Sequence, residues 1–237
     1  MTGKNITKPI AACIFDLDGT LVDTLGDFAL ALNQMLQQIG RAPLPREVVA
    51  RMVGKGNEFL LRSALAWPDP PSDSGASAID ERFYRTAHAR YLSAYRALSG
   101  LHSTVFPGVV ETLQALRARA LPLACLTNKP LDDARQLLDA KRLAGFFDHV
   151  FGGDSFARKK PDPLPLLQTC KALGVAPERV LMVGDSVNDA AAAHGSGCAI
   201  ALVSYGYNHG RPVREIAADV YVDSLTELLP MLPPAVC

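Results

Sequence analysis

This sequence predicts an α/β fold: a parallel β-sheet covered by helices on both faces, with a helical module inserted after the first strand. Two observations lead there. Short, near-continuous apolar runs alternate with helical patterns through most of the chain. One long stretch after the first run breaks that alternation and shows helical periodicity alone. With 237 residues, of which 49% are hydrophobic and 20% charged, the chain can bury a sizeable core and carry a smaller body beside it.

The first strand is "IAACIF", residues 10–15, and acids and a Gly-Thr turn follow it. The strandless stretch begins at about Thr24. Phe28, Leu32, Met35, Leu36 and Ile39 share one helical face, with Gly40 as a stop. "WPDPPSDSGAS", 67–77, is too rich in Pro, Ser, Asp and Gly to be anything but a loop. Phe83, Ala87, Tyr91, Ala94, Tyr95 and Leu98 then mark a second amphipathic helix from about Ile79 to Leu98. The expected division is therefore a core of residues 1–23 and 105–237, and a helical module of residues 24–104 with hinges near its two crossings. Four more strands, "LPLACLT" (121–127), "HVFGG" (149–153), "RVLMVGD" (179–185) and "CAIALVS" (198–204), alternate with helices over about 108–120, 132–143, 163–174 and 188–197. Each strand bears acids, Thr or Gly at or just past its end. In open parallel sheets the ligand crevice lies beyond those carboxyl ends.

Bulk charge excludes some partners. Lys plus Arg and Asp plus Glu both total 24, so no basic excess suggests a nucleic-acid surface, and no basic amphipathic stretch suggests a membrane. The start, "MTGKNITKPIAACIF", has neither the long apolar region nor the cleavage site of a secretory signal, and no run of about 18 apolar residues occurs. The five cysteines are scattered, with no metal or redox pair in their spacing. A cytoplasmic protein is expected, as a monomer or homodimer.

The chemistry gathers at the strand ends. Asp16 and Asp18 in "DLDGT" lie on one side of the chain if it stays extended, so one can act as nucleophile while the other transfers protons. Two carboxylates beside an apolar interior repel each other, and a hard divalent cation, magnesium by the all-oxygen donor set, would neutralise them. In "VLMVGDSVNDA", Asp185 can complete that carboxylate set and Asp189 can orient a neighbour; on the plainer reading Asp185 simply caps the following helix. "LTNKP" places Thr127 and Asn128 where a hydroxyl and backbone amides can hold an anionic oxygen. "RKKPDP" supplies Lys159 and Lys160, either of which can neutralise a phosphoryl group. Within the inserted module, Gly54, Lys55, Gly56 and Asn57 precede a helix whose amides, with Lys55, could meet a small carboxylate. Arg62 is a second such partner, or an ordinary exposed helix residue.

"DLDGT", "LTNKP", "KKPDP" and "GDSVND", in this order, resemble the four motifs of the haloacid dehalogenase superfamily, over about Ile10 to Leu229. The helical insert resembles that family's first class of cap, on a Rossmann-like core. "VSYGYNHG" and "MVGKGNEFLLRSAL" are most similar to its bacterial phosphoglycolate phosphatases. The resemblance implies a magnesium-dependent phosphatase acting on a small phosphorylated metabolite, 2-phosphoglycolate. Asp16 would form an aspartyl-phosphate and Asp18 would serve as acid and base. Thr127 and Asn128 would bind phosphoryl oxygens and Lys160 would stabilise charge. Magnesium would be held by Asp16, the backbone carbonyl of Asp18 and Asp185, with Asp189 supporting. Lys55 departs from the small polar residue commoner in that family, which leaves the substrate less determined than the reaction. The alternatives are a phosphatase for another small ester, such as a sugar phosphate, and a phosphomutase of the same superfamily.

Overall fold

A computed structural model describes residues 9–68 and 79–232. The Pro- and Ser-rich loop expected at 67–77 therefore lies outside the described residues from 69 onward, as do the first eight residues and Cys237.

The chain runs β1 (Ala12–Phe15), β2 (Val22–Asp23), α1 (Leu25–Gln38), α2 (Arg46–Ala50), α3 (Asn57–Ala66), α4 (Glu81–Leu98) and β3 (Thr104–Val105). It continues through α5 (Val109–Ala118), β4 (Leu123–Leu126), α6 (Leu131–Ala140), β5 (His149–Phe151) and α7 (Leu164–Leu173). The last elements are β6 (Val180–Gly184), α8 (Val187–Ser196), β7 (Ala199–Val203) and β8 (Val220–Val222). Six strands form one sheet in the order β5-β4-β1-β6-β7-β8, all pairs parallel. From β1 the chain builds outward to β4 and β5, then crosses to β6 on the other side. That reversal opens a crevice at the carboxyl ends of β1, β4 and β6.

Alternation along the strands sorts the core into two layers. Cys13, Phe15, Leu123, Cys125, Leu181 and Val183 face one cluster with Val109, Leu113, Leu116 and Leu137 of α5 and α6. Ala12, Ile14, Ala124, Leu126, Met182 and Ile200 face the other, with Leu166, Cys170, Ala190 and Ala193 of α7 and α8. Every side chain named from these strands is buried, which is why the strands read as unbroken apolar runs. β8 and the ribbon of β2 with β3 were not legible. β8 is only three residues long, half-buried at the sheet edge, and the ribbon is two residues a side, too short for any period to register.

Helices α1 to α4 make a third apolar cluster, from Leu25 to Tyr95, separate from the two that sandwich the sheet. Phe28 stacks on Tyr95 with ring centroids 5.4 Å apart. The fully buried Asp27 accepts hydrogen bonds from the amides of Gly100 (2.8 Å) and His102 (2.7 Å), fastening the start of α1 to the chain leaving α4. The chain enters and leaves this helical insert through the ribbon, where Val22 pairs with Val105 and Asp23 with Thr104, antiparallel.

Candidate active site

Each strand that opens the crevice hands over a polar residue at its end. Phe15 lies beside Cys125 on one side and Val183 on the other, so Asp16, Leu126 and Gly184 end three neighbouring strands at nearly one level. The chain bends at Leu17, which turns into the core, and Asp18 starts the turn that leads to β2. The extended conformation expected for Asp16 to Asp18 is therefore not kept, yet both carboxylates line one cavity. That cavity, about 30 Å³, is also lined by Thr127, Asn128, Lys129, Lys160, Ser186, Asn188 and Asp189 from the core, and by Phe28, Val53, Gly54, Gly56, Asn57 and Leu60 from the insert.

Lys160 is the electrostatic centre. Its buried ammonium lies 2.8 Å from Asp16 and 2.6 Å from Asp189, and donates to the carbonyl of Leu126 at 2.9 Å. Burial would lower its pKa, but Asp16 and Asp189 outweigh burial and hold it above the ordinary lysine value. Asp189 closes a capping box with Ser186 at the start of α8, accepting from the Ser186 amide (3.2 Å) and hydroxyl (2.7 Å). The same carboxylate thus caps a helix and fixes the lysine.

One oxygen from each of Asp16, Asp185 and Asp189 lies within 4.8 Å of the other two. Burial, with Asp189 and Asp18 nearby, pushes the Asp16 carboxyl up to about 7 despite Lys160. Burial, then Asp189 and Asp16, raises Asp185 well above the usual carboxylate range. Buried, mutually repelling and all-oxygen, this set fits a hard divalent cation. Asp185 is gripped by the chain: its Oδ2 accepts from the Tyr207 amide at 2.7 Å. A Cβ on Gly206 would lie 2.1 Å from the Asp185 Cβ, and one on Gly19 2.3 Å from its Oδ2, so only glycine lets those loops close around it.

Several expected site residues have other work. The Thr127 amide is spent on the carbonyl of Phe151 (3.0 Å), while its hydroxyl oxygen accepts from the Lys129 amide (3.2 Å), which leaves the hydroxyl proton to meet an anion. The Asn128 side chain donates to the carbonyls of Lys160 (2.9 Å) and Gly54 (3.3 Å), bridging core and insert. Gly56 lines the cavity, but Lys55 does not: its ammonium lies 4.6 Å from the Phe59 ring, and its carbonyl accepts from Lys159 (3.0 Å). Arg62 is also outside the lining, pairing with Glu58 (3.0 Å) and Glu81 (2.7 Å) over the Tyr84 ring.

Three residues with no role in the sequence reading matter here. Lys129 is buried and donates to both oxygens of Asp18 at 2.8 Å, beneath Phe28 and Tyr95 of the insert. Asn188 donates to the Gly54 carbonyl at 3.2 Å. The Tyr207 hydroxyl donates to Asp23 (2.7 Å) and accepts from the amides of Thr24 (2.8 Å) and Leu25 (3.1 Å), at the point where the chain enters the insert. Lys129 stood inside "LTNKP", but a lysine at a strand end is ordinarily solvated, and only the packing of α1 and α4 over it shows otherwise.

A family model for haloacid dehalogenase-like hydrolases matches residues 10–197. The phosphoglycolate phosphatase of Nitrosospira multiformis is 43% identical over 92% of this chain and 94% of its own, and that of Thiobacillus denitrificans is 40% identical over 98% and 100%. A crystal structure described as a predicted phosphoglycolate phosphatase from Haemophilus somnus 129pt superposes with a TM-score of 0.88 at 32% identity, covering 95% of this chain and 99% of that one. Because the family match takes in β1, β4 and β6, whose ends bear the clustered acids, and the relatives are matched over nearly their full lengths, the chain belongs to the haloacid dehalogenase-like hydrolase family.

Proposed function

We propose that this protein is a magnesium-dependent phosphatase that hydrolyses 2-phosphoglycolate to glycolate and phosphate, with Asp16 as nucleophile. The observation carrying this reading is the convergence of Asp16, Asp18 and Lys160 in a single small cavity at the carboxyl edge of the sheet, with an oxygen of Asp185 within 4.8 Å of one from Asp16. The names of the Nitrosospira and Thiobacillus relatives support the choice of ester.

In this mechanism an Asp16 oxygen attacks phosphorus and the ester oxygen departs in line, taking a proton from Asp18. Lys129, on both oxygens of Asp18, keeps that carboxyl pointed at the departing oxygen. Asp18 then takes a proton from the water that attacks the aspartyl-phosphate, which frees phosphate and restores Asp16. Lys160 and the Thr127 hydroxyl meet the phosphoryl oxygens, and positioning with charge neutralisation is most of what such a transfer needs. Asp16, the Asp18 carbonyl and Asp185 would hold magnesium, with Asp189 steadying Lys160 beside them. Magnesium supplies positive charge against the carboxylates and the phosphoryl oxygens. Residues 24–104 act as a cap that encloses the substrate, its Gly54 carbonyl latched to Asn128 and Asn188.

Phosphate release across a panel of 2-phosphoglycolate, sugar phosphates and an aryl phosphate, with and without chelator, tests the reading. Phosphoglycolate should lead and chelator should abolish turnover. A generic aryl phosphate turned over equally well overturns the substrate, and activity undiminished by chelator overturns the metal. A phosphomutase would release little phosphate and require a bisphosphate primer.

A further inference from the structure

If the substrate is a phosphorylated acid, something must read its carboxylate. The two side chains that the sequence offers for this, Lys55 and Arg62, lie outside the cavity lining, on Phe59 and on the Glu58–Glu81 pair. Among the described residues the lining holds two cations, Lys129 and Lys160. Lys160 has three N–H groups and three close acceptors, Leu126, Asp16 and Asp189, so it has none left for a carboxylate and serves the phosphoryl end through its charge beside Asp16. Lys129 directs its contacts to the two oxygens of one group, Asp18. Beside it the buried Tyr95 hydroxyl interacts with the Lys129 ammonium, and its ring centroid is 5.2 Å away. The third N–H of Lys129 is thus left to a neutral phenol, where an anionic acceptor forms the stronger bond.

Position gives that acceptor an identity. Asp18 protonates the ester oxygen, so this oxygen stands next to Asp18 and within one side chain's reach of Lys129. In phosphoglycolate the carboxyl carbon is two bonds beyond the ester oxygen, which brings the carboxylate to the Lys129 side of the cavity. The same cavity is lined by Gly56 and Asn57, where α3 begins with no side-chain cap on its first-turn amides. The insert's other side chains in the lining, Phe28, Val53 and Leu60, are apolar and offer a carboxylate nothing.

We infer that Lys129, which shares its cavity with the uncapped start of α3, binds the carboxylate of the substrate and is the residue that selects short phosphorylated acids. The inference rests on the phosphoglycolate reading and deepens it. A carboxylate farther from the ester oxygen overshoots Lys129, and a substrate without one gains no charge-assisted bond there.

The test compares kcat/KM for 2-phosphoglycolate with that for ethyl phosphate, which has the same length but no carboxylate. In the wild type the ratio should favour phosphoglycolate strongly. Lys129→Met should cut that ratio by about 10- to 150-fold, the loss that one charge-assisted hydrogen bond carries. Lys129→Gln fills similar space and still donates to Asp18, and takes the same measurement should the methionine variant not fold. Equal losses on both substrates would make Lys129 only the holder of Asp18 and would overturn the assignment. An unchanged ratio in the variants overturns it as well, leaving the phosphoglycolate reading intact. No preference in the wild type overturns that reading, and this inference with it.

Discussion

Replacing Tyr207 by Phe removes one oxygen and keeps the ring, so its effect can be worked from the contacts. The hydroxyl donates to Asp23 and accepts from the amides of Thr24 and Leu25. Leu25 keeps a second acceptor in Asp23 Oδ1 at 3.1 Å, and Asp23 is partly open to water, so both recover most of what they lose. Thr24 does not: it is fully buried, and its amide is left with no acceptor. An orphaned buried amide costs about 1–3 kcal/mol, and the lost bond to a carboxylate adds up to about 1 kcal/mol after rehydration. The sum, about 1–4 kcal/mol, corresponds to roughly 2–16 °C in Tm for a chain of this size. Urea unfolding followed by circular dichroism, at fixed magnesium, measures it. Because the Tyr207 amide also holds Asp185, the variant should in addition bind magnesium less tightly. A loss under about 0.5 kcal/mol with unchanged metal affinity would refute the argument, since the entry to the insert would then be held by something else.

Other consequences can be checked with purified protein. Asp16→Asn should retain its circular dichroism spectrum and show no phosphate release above background. The same variant reads out the raised Asp16 carboxyl. A group whose folded pKa stands at about 7, above its unfolded value, contributes stability at low pH and loses it as pH rises from about 4 to 7. With chelator present, Asp16→Asn should therefore gain Tm relative to wild type between pH 5 and pH 8, and a gain in the opposite direction would contradict the site's electrostatics. Gly206→Ala drives a methyl into Asp185 and should weaken magnesium binding by about 10–100-fold, measured by calorimetry. Arg62→Ala should leave kcat/KM for phosphoglycolate within about threefold of wild type, because its partners are Glu58 and Glu81; a larger drop would return it to the substrate.

Much of this was legible in the sequence, for identifiable reasons. A strand buried on both faces writes itself as an apolar run, and four of the six sheet strands were visible on that ground, with the half-buried β5 visible in "HVFGG". Asp16, Thr127 and Asp185 were visible because each follows such a run directly. Lys160 was distinguishable from Lys159 only through the resemblance, and the structure separates them physically: one is buried against Asp16, while the other reaches the Lys55 carbonyl at the surface. What stayed hidden depends on contacts distant in sequence. Tyr207 acts on Asp23 across 184 positions, and Lys129 on Asp18 across 111. No periodicity reports such a pairing. Cys170 and Cys198, whose sulfurs lie 3.6 Å apart, are another pair that spacing did not reveal.

The insert keeps its oily residues to itself. Its cluster closes among α1 to α4, and what it shares with the sheet domain is largely polar: the Gly54 carbonyl on two asparagines, the Lys55 carbonyl on Lys159, a phenol on Asp23. Parting two bodies along such a seam wets amides and carbonyls that water serves well, and uncovers little hydrocarbon. The heat-capacity change of that separation is correspondingly small. If residues 24–104 open and close as the proposed cap, warming does little to that balance, and dissolved anions able to occupy the same donors do far more.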